Sequence, residues 1–273
     1  MFGKKNRYEL KSPEQFESMR AAGLVVADTL QLLRESIEPA MTTQQLDDMA
    51  REAISGAGAT PSFLGYHGYP AVICVSVNEE IVHGIPGDRV INEGDIVSID
   101  CGAIVDGWHG DAAFSAVVGA GSTDVSDLLS VTETALWRGL AKALVGNRLS
   151  DIGHAVESHV RAAGQYGIVE EYVGHGIGTS MHMEPSVPNY GQPGHGPSLV
   201  AGMALAVEPM VNLGSRHTRV LKDDWTVVTQ DGRWSAHFEH TVAITEQGPW
   251  VLTAHDGGAA RFAALGVATP AAG

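Results

Sequence analysis

The chain has 273 residues, 44% of them hydrophobic, which is enough for a sizeable buried core. Acidic residues outnumber lysine and arginine by 32 to 17, and the formal charge of −15 argues against broad binding to DNA or any other phosphate backbone. Two cysteines are too few for a disulfide framework, and no run of 18 apolar residues predicts a membrane span, so we expect a cytoplasmic protein that binds neither DNA nor membrane.

Two helices are predicted near the start of the chain. Ser12 and Pro13 are typical of an N-cap followed by a first-turn proline, and Pro39 prevents this helix from continuing. A second helix is expected from about Thr43 to Gly56. Apolar residues recur at helical spacing in both segments, so their inward faces are predicted to form core.

Residues 60–70 place tyrosines among glycines and prolines, which predicts an ordered loop. From spacing alone, Tyr66 and Tyr69 are interpreted as plugging the edge of the core rather than lining a pocket. A strand over residues 71–77 follows this loop. The lone His83 beyond that strand is interpreted, on the same grounds, as a structural residue.

The most informative stretch is residues 95–118, where two apolar, β-branched runs flank Asp106 and Gly107. An Asp-Gly pair between strand-like runs predicts a hairpin, which would place Asp100 and Asp111 beside each other on adjacent strands. Unpaired carboxylates in apolar surroundings are unfavourable, and this stretch contains no lysine or arginine. The sequence therefore favours a metal ion between the two acids.

The second part of the chain begins with two predicted helices, over residues 123–145 and 150–163. Three glycines then surround His175, which predicts open space for its imidazole and close approach of other backbone. His182 follows seven residues later, before a loop rich in proline and glycine.

Two further acids complete the pattern. An apolar run ends at Glu208, which follows a glycine by six residues, as Asp100 does. Strands are predicted over residues 225–229 and 235–245, joined as a hairpin, with Glu239 in the middle of the second strand. This repetition favours two duplicated α/β halves that face each other.

Such halves would bring four carboxylates and one imidazole together at their interface. Carboxylates and imidazole are suitable ligands for divalent transition-metal ions, and this number of donors suits two ions about 4 Å apart. Four unrelated carboxylates are a poor alternative explanation, because all four lie in apolar runs.

At this point the chain is identified as similar to the type I methionine aminopeptidases, over about Tyr8 to Leu252. That family implies an α/β (α+β) pita-bread fold, with two pseudo-symmetric halves, a central antiparallel sheet and outer helices. The segments that carry the resemblance are Gly65-Tyr66-His67-Gly68-Tyr69-Pro70, Ser76-Val77-Asn78-Glu79, His83-Gly84-Ile85-Pro86, Asp106-Gly107-Trp108-His109-Gly110-Asp111, Gly174-His175-Gly176-Ile177-Gly178, Val207-Glu208-Pro209-Met210 and Phe238-Glu239-His240-Thr241.

The resemblance implies removal of N-terminal methionine before small residues, with two divalent ions (Co, Mn, Fe or Zn) as cofactors. Asp111 and Glu239 would bridge both ions, His175 and Glu208 would complete one site, and Asp100 the other. Two such ions lower the pKa of a shared water from about 15.7 towards about 7, so that hydroxide forms at neutral pH.

The resemblance also assigns the groups that handle the substrate. Glu208 is the expected proton relay, His182 contacts the scissile peptide and stabilises the oxyanion, and His83 faces the substrate amide. Two residues depart from the family pattern, because Phe63 replaces a smaller cysteine and Met181 replaces an aromatic residue. The expected substrate-binding residues are His83, His182, Tyr66, Tyr69, Cys74, Phe63, Met181 and Trp225.

We expect a single catalytic domain over residues 1–256, a flexible tail over residues 257–273, and a monomer that acts on nascent polypeptides. Met1 precedes the bulky Phe2, so the protein is expected to keep its own methionine. The basic residues Lys4, Lys5, Arg7 and Lys11 are a candidate ribosome contact, against the simpler interpretation of a solvated terminus.

Two other functions remain open on the sequence. A proline-directed aminopeptidase or dipeptidase shares the fold and the five ligands, but the short N-terminus and the loop with Tyr66 and Tyr69 favour the methionine enzyme. A non-enzymatic pita-bread protein that binds partners would be expected to lose ligands, whereas this sequence has all five.

Overall fold

The computed structural model describes residues 8–270, so Met1, Phe2, Lys4, Lys5 and Arg7 lie outside the described residues. The five helices of this part are α1 (Pro13–Ser36), α2 (Thr43–Gly56), α3 (Thr123–Leu140), α4 (Leu149–Ala163) and α5 (Ala259–Ala264). The strands are β1 (Thr60–Pro61), β2 (Ile73–Val77), β3 (Glu80–Val82), β4 (Ile96–Val105), β5 (Trp108–Val117), β6 (Gly167–Ile168), β7 (Gly174–Gly176), β8 (Met183–Val187), β9 (Ala204–Val207), β10 (Met210–Asn212), β11 (Thr218–Val220), β12 (Val227–Thr229), β13 (Ser235–His237), β14 (Glu239–Thr245) and β15 (Gly248–Val251).

Local signals account for the first two helices. The Ser12 hydroxyl oxygen accepts a hydrogen bond from the Gln15 backbone N–H, and the Ser12 backbone N–H donates to Gln15 Oε1, which forms a capping box at the start of α1. α2 begins with the equivalent box, built by Thr42 and Gln45. α1 packs closely on the sheet, since a Cβ at Gly23 would lie 2.3 Å from the Leu252 carbonyl oxygen. The helices predicted at both positions are therefore confirmed.

A nine-stranded antiparallel sheet forms the centre of the fold. Its main path runs β1-β4-β5-β14-β9-β7-β8, with β2 paired to β4 and β15 paired to β14. The β5–β14 pair joins the first half of the chain (residues 8–118) to the second half (residues 119–270). Each half also contributes two long helices, α1 and α2 or α3 and α4, so the predicted two-half architecture is confirmed.

Two small sheets continue from this centre. β13, β10 and β6 form one, and β11, β12 and β3 form the other. The predicted hairpin of residues 225–229 with 235–245 is wrong, because β12 pairs with β11 and β3 while β13 pairs with β10. The second predicted strand is interrupted at Phe238, which puts Glu239 at the start of β14 rather than in mid-strand.

Other boundaries differ by a few residues. The helix predicted over 123–145 ends at Leu140. The apolar residues beyond it belong to the following turn, where Ala141 and Ala143 are buried. The strand predicted over 71–77 begins at Ile73, and the loop over 60–70 contains β1 and a single 3-10 turn at Tyr66–Gly68.

Residues 257–270 pack on the rest of the molecule. Phe262 of α5 is fully buried, with its ring 5.6 Å from that of Trp137 in an edge-on arrangement, and the Thr269 hydroxyl donates to the Pro249 carbonyl at 2.6 Å. A flexible tail is expected to lack such contacts, but the mobility of residues 257–273 and the boundary at residue 256 remain predictions. No helix among the described residues is long and apolar enough to cross a membrane.

Candidate metal centre and adjoining cavity

All thirteen residues singled out in the sequence line one cavity of about 140 Å³. Surface grooves of about 660 and 730 Å³ lie elsewhere, and their linings include none of these residues. The cavity is lined by Phe63, Tyr66, Tyr69, Cys74, His83, Asp100, Asp111, His175, Met181, His182, Glu208, Trp225 and Glu239.

The first two acids lie on the predicted hairpin. Asp106 and Gly107 have φ values of +49° and +80°, the left-handed pair that a two-residue type I′ turn requires. In the resulting register Asp100 faces Ala113, and Gly102 faces Asp111. Residues two apart point to the same face of a strand, so both carboxylates point into the cavity as diagonal neighbours.

The four carboxyl groups lie close together, with Asp111 and Glu239 buried and Asp100 and Glu208 half-buried. Burial raises the pKa of Asp100 to about 7, and burial together with the neighbouring acids raises the pKa of Asp111, Glu208 and Glu239 well above the ordinary range. Asp100 Oδ1, Asp111 Oδ1 and Glu239 Oε1 are buried without a hydrogen-bond partner. Such a cluster of unpartnered oxygens is the arrangement that a cation would complete.

His175 approaches these acids from β7. Its Nδ1 lies 2.9 Å from the Gly176 carbonyl oxygen, an acceptor, so Nδ1 carries the hydrogen and Nε2 presents its lone pair. Nε2 is 3.8 Å from Asp111 Oδ2 and 3.7 Å from Glu208 Oε1. Burial lowers the pKa of His175 to about 3, which keeps the imidazole neutral at physiological pH. Asp111, His175 and Glu239 form a trio whose ligand atoms lie within 4.8 Å of one another.

The glycines around His175 serve the packing of the strand. A Cβ at Gly174 would lie 2.3 Å from the Ala206 carbonyl oxygen, and one at Gly176 would lie 2.4 Å from the Glu184 carbonyl oxygen. The predicted close approach of backbone is therefore present. The approaching groups are neighbouring strands on both sides of β7, which fix His175 in place.

The N-terminal segment also supports this region. Lys11 is buried, and its ammonium donates to the Ile177 carbonyl at 2.6 Å and pairs with Glu9 at 3.3 Å. Glu9 in turn accepts from the backbone and hydroxyl of Thr179. The sequence suggested Lys11 as part of a ribosome contact. Its ammonium group is instead engaged within the protein, where it binds the segment that follows His175.

The apolar side of the cavity is a compact cluster. Phe63, Tyr69, Cys74 and Met181 are buried there, with Trp225 half-buried beside them. The Tyr69 hydroxyl donates to the Ile73 and Gly84 carbonyls at 3.1 and 3.0 Å, so the ring is fixed. The loop tyrosines thus line the cavity, and their interpretation from spacing as a plug of the core edge is wrong.

Two histidines lie between the acids and the mouth of the cavity. His83 has a φ of +61°, and its ring meets Tyr172 and Trp225 edge-on at 5.7 and 6.3 Å. Burial lowers the pKa of His83 to about 4. His182 is exposed, with Nδ1 2.8 Å from the Tyr66 hydroxyl and its ring 4.3 Å from that of His175.

A third histidine was missed in the sequence. His237 is buried, and its Nε2 lies 3.9 Å from Glu208 Oε2 and 3.8 Å from Glu239 Oε2. Burial, with a smaller contribution from His83, lowers the pKa of His237 to about 3. Its position two residues before Glu239 in a predicted strand was the available signal, because residues i and i+2 share a face.

Comparison with known proteins gives one answer across sequence and structure. The model of metallopeptidase family M24 matches residues 17–246. Methionine aminopeptidase 1 of Bacillus subtilis (strain 168) is 52% identical over 243 residues, covering 89% of this chain and 98% of that protein. The crystal structure of methionine aminopeptidase from Rickettsia prowazekii is 40% identical with a TM-score of 0.89, covering 90% of this chain and 100% of that one.

A more distant match separates fold from activity. Prolidase from Pyrococcus furiosus has a TM-score of 0.74 at 21% identity, covering 92% of this chain and 66% of that one, which shows a shared fold alone. The predicted pita-bread architecture is confirmed by the methionine aminopeptidase structures. Because the family model spans most of the sequence and relatives match it almost end to end, the chain belongs to metallopeptidase family M24 and, within it, to the methionine aminopeptidases.

Proposed function

We propose that this chain hydrolyses the first peptide bond of nascent polypeptides and peptides that begin with methionine and continue with a small residue. The observation that carries the proposal is one cavity with four clustered carboxylates at one side and an apolar wall at the other. The relatives that match the chain almost end to end are named methionine aminopeptidases, which supports the same activity.

Divalent metal is the cofactor that the family requires. We propose two ions, which Asp111 and Glu239 would hold together with Asp100 on one side and with His175 and Glu208 on the other. The unpartnered oxygens of Asp100, Asp111 and Glu239 fit this role, because metal ligands need free lone pairs. When bound, the ions supply Lewis acidity that lowers the pKa of water and polarises a carbonyl.

The remaining steps are assigned to side chains. Glu208, whose carboxylate lines the cavity beside the other acids, is proposed to take the proton from the attacking water and pass it to the leaving amine. His182 at the cavity mouth is proposed to stabilise the negative charge that develops on the carbonyl oxygen, oriented by its contact with Tyr66. His83 is proposed to face the substrate amide, and burial keeps it neutral at neutral pH.

Selection for methionine is proposed to depend on the shape of the cavity. Its volume of about 140 Å³ is below the ordinary range of ligand pockets, about 300–1,000 Å³, and suits a single side chain. Phe63, Tyr69 and Trp225 offer aromatic contacts to a thioether, each worth about 0.3–1.5 kcal/mol. Met181 and Cys74 add polarisable sulfur to the same wall.

We further propose a monomer that works in the cytoplasm, with residues 1–256 as the catalytic domain. Two free, buried cysteines suit a reducing compartment. A contact between the basic start of the chain and the ribosome would now depend on Lys4, Lys5 and Arg7 alone. All thirteen cavity residues precede residue 256, so a chain truncated there tests whether the packed segment beyond it is needed only for stability.

The test is peptide cleavage by metal-stripped protein to which Mn, Fe, Co or Zn is added singly. Release of methionine from Met-Ala-Ser, with Ala-Pro-Ser left intact, is the expected result. Cleavage of Ala-Pro-Ser would transfer the chain to the proline-directed branch. Metal binding without cleavage of either peptide would support the partner-binding alternative instead.

A further inference from the structure

His237 Nε2 is buried and has no hydrogen-bond partner among the described residues. The distances of 3.9 and 3.8 Å to Glu208 Oε2 and Glu239 Oε2 are too long for hydrogen bonds, which reach about 3.2 Å. Two donors on one ion, each bound at about 2.0–2.1 Å, lie between about 3 and 4.2 Å apart. Glu208, His237 and Glu239 accordingly form a second trio of potential ligand atoms within 4.8 Å.

His175 and His237 stand in the same relation to Glu208. His175 Nε2 is 3.7 Å from Glu208 Oε1, and His237 Nε2 is 3.9 Å from Glu208 Oε2. The two imidazoles therefore approach one carboxylate from its two oxygens. The two histidines differ in sequence context, because His175 lies within the glycine-rich motif of residues 174–178 and His237 lies outside the recognised motifs.

The strand register makes His237 the counterpart of Asp111 in the other half. In the first half, Asp111 faces Gly102, which lies two positions after Asp100. In the second half, His240 faces Val207 and His237 faces Met210, so the same register puts Glu208 opposite Glu239. Met210 lies two positions after Glu208, and His237 faces it as Asp111 faces Gly102.

Hydrogen bonds between the halves repeat the same equivalence. Thr241 Oγ1 donates to the Asp111 carbonyl at 2.8 Å and accepts from the Asp111 N–H at 3.2 Å. Ser115 Oγ donates to the His237 carbonyl and accepts from the His237 N–H, both at 2.8 Å. Thr241 lies four residues after His237, and Ser115 lies four residues after Asp111. The two hydroxyls therefore hold the backbones of Asp111 and His237 in equivalent ways.

We infer that His237 is a further nitrogen ligand of the metal centre, on the edge formed by Glu208 and Glu239. The inference rests on the proposed function, since it assumes that metal occupies the centre. A second imidazole shifts the donor set towards nitrogen, which favours Co, Fe and Zn over the more oxygen-preferring Mn.

The test counts metal-bound imidazoles on the full chain. Metal-free protein receives two equivalents of Co(II), and proton NMR records hyperfine-shifted signals that vanish in D₂O, one for each N–H of a coordinated histidine. We expect two signals in the natural chain, one in His237→Gln and one in His175→Gln. His240→Gln is the matched control with two signals, because His240 is a half-buried neighbour whose Nδ1 bonds Thr253 instead.

The natural chain decides the question even where a variant fails to fold. A single signal there, with cobalt bound and methionine released, overturns the inference and leaves the proposed hydrolase intact. Failure to bind cobalt at all overturns both. As a second readout, His237→Gln is expected to weaken Co(II) affinity about tenfold or more and Mn(II) affinity less; an equal effect on both ions contradicts a nitrogen ligand.

Discussion

The two halves of the molecule both carry their acids on antiparallel strand pairs, but they build these pairs by different routes and place the acids differently, since Asp111 lies diagonally from Asp100 whereas the register puts Glu239 directly opposite Glu208. In the first half, a two-residue turn joins β4 to β5 in one uninterrupted ladder that carries Asp100 and Asp111. In the second half, the ladder that carries Glu208 and Glu239 is split between two sheets. Pro209 lies at the split, where it has no N–H to donate to a ladder.

The longer connection in the second half carries a residue of the apolar wall, whereas the two-residue turn between β4 and β5 carries none. Between β10 and β13 the chain leaves the ladder to form β11 and β12, of which β12 pairs with β3 of the first half. This excursion places Trp225 in the apolar wall. The backbone N–H of Trp225 donates to Asp223 Oδ1 at 2.9 Å. The β4–β5 hairpin thus contributes acids alone, and the first half's share of the apolar wall (Phe63, Tyr69 and Cys74) precedes that hairpin, whereas the interrupted ladder of the second half contributes acids and, through its excursion, Trp225.

The largest expected effect comes from removing one acid of each half. Asp111→Asn and Glu239→Gln keep the side-chain size but remove a charged ligand. Loss of a supporting residue around a metal costs about 10–100-fold, so loss of a ligand is expected to lower methionine release by more than about a hundredfold in both variants. Peptide cleavage and metal content per chain, measured together, check this.

Unequal losses of methionine release in the two variants would contradict equal roles for the acids of the two halves. A Glu239→Gln protein that keeps full metal content and activity would show that the second half only supports the first. Ser98→Ala is a suitable control in the same sheet, because the Ser98 hydroxyl bonds only the Ser115 hydroxyl.

The second effect is on pH dependence. In metal-free protein, burial raises the pKa of Asp100 to about 7 and those of the other three acids further. Unfolded carboxyls ionise near pH 4, so the folded state binds more protons and loses stability as the pH rises, by about 1.4 kcal/mol per pH unit for each proton.

The buried histidines act in the opposite sense over a different range. Their folded pKa values of about 3 to 4 lie below the unfolded value of about 6.5, so their contribution rises with pH up to that value and then stops. From pH 7 to 8.5 the histidines no longer contribute, whereas the acids still do. Thermal midpoints of metal-free and metal-loaded protein should therefore diverge with rising pH in that range; parallel curves would contradict the shared burial of the four acids.

Prediction from sequence succeeded where the signals are local. The capping boxes of α1 and α2 and the turn at Asp106 and Gly107 lie within a few residues of the structure that they specify. The turn signal at Asp231 and Gly232 was equally good, and Gly232 does have a positive φ of 72°, yet the strands on either side pair with other strands. A turn residue specifies the turn, but non-local pairing decides which strands become neighbours.

The same distinction applies to the site. The thirteen cavity residues were collected from motifs and from family resemblance, and they meet in one cavity. His237 belongs to none of those motifs. Its relation to Asp111 exists only through the ladder of β9 and β10 with β14 and β13, which the predicted hairpin of residues 225–245 had assigned to the wrong partner.

The third effect concerns the bonds that join the halves. Ser115→Ala and Thr241→Val each leave a buried backbone N–H and carbonyl of the opposite half without their partner, at His237 and Asp111 respectively. Each is expected to lower the free energy of unfolding by about 1–3 kcal/mol. Urea denaturation measures both, and equal losses would support the equivalence of the two positions, whereas a loss in one variant alone would not.

The smallest effect separates the two routes directly. Gly107→Ala puts a side chain at a φ of +80°, where no other atom lies within 4 Å of the new Cβ, so the cost is conformational and about 1 kcal/mol. Gly56→Ala in α2 is the matched control, since its new Cβ also meets open space but in helical backbone, where alanine is favourable. Urea denaturation should show Gly107→Ala below the natural chain and Gly56→Ala at or above it. If Gly107→Ala were instead neutral, the first half would depend on its local turn no more than the second half does, and the register of β4 with β5 would be set by pairing along the strands rather than by the turn.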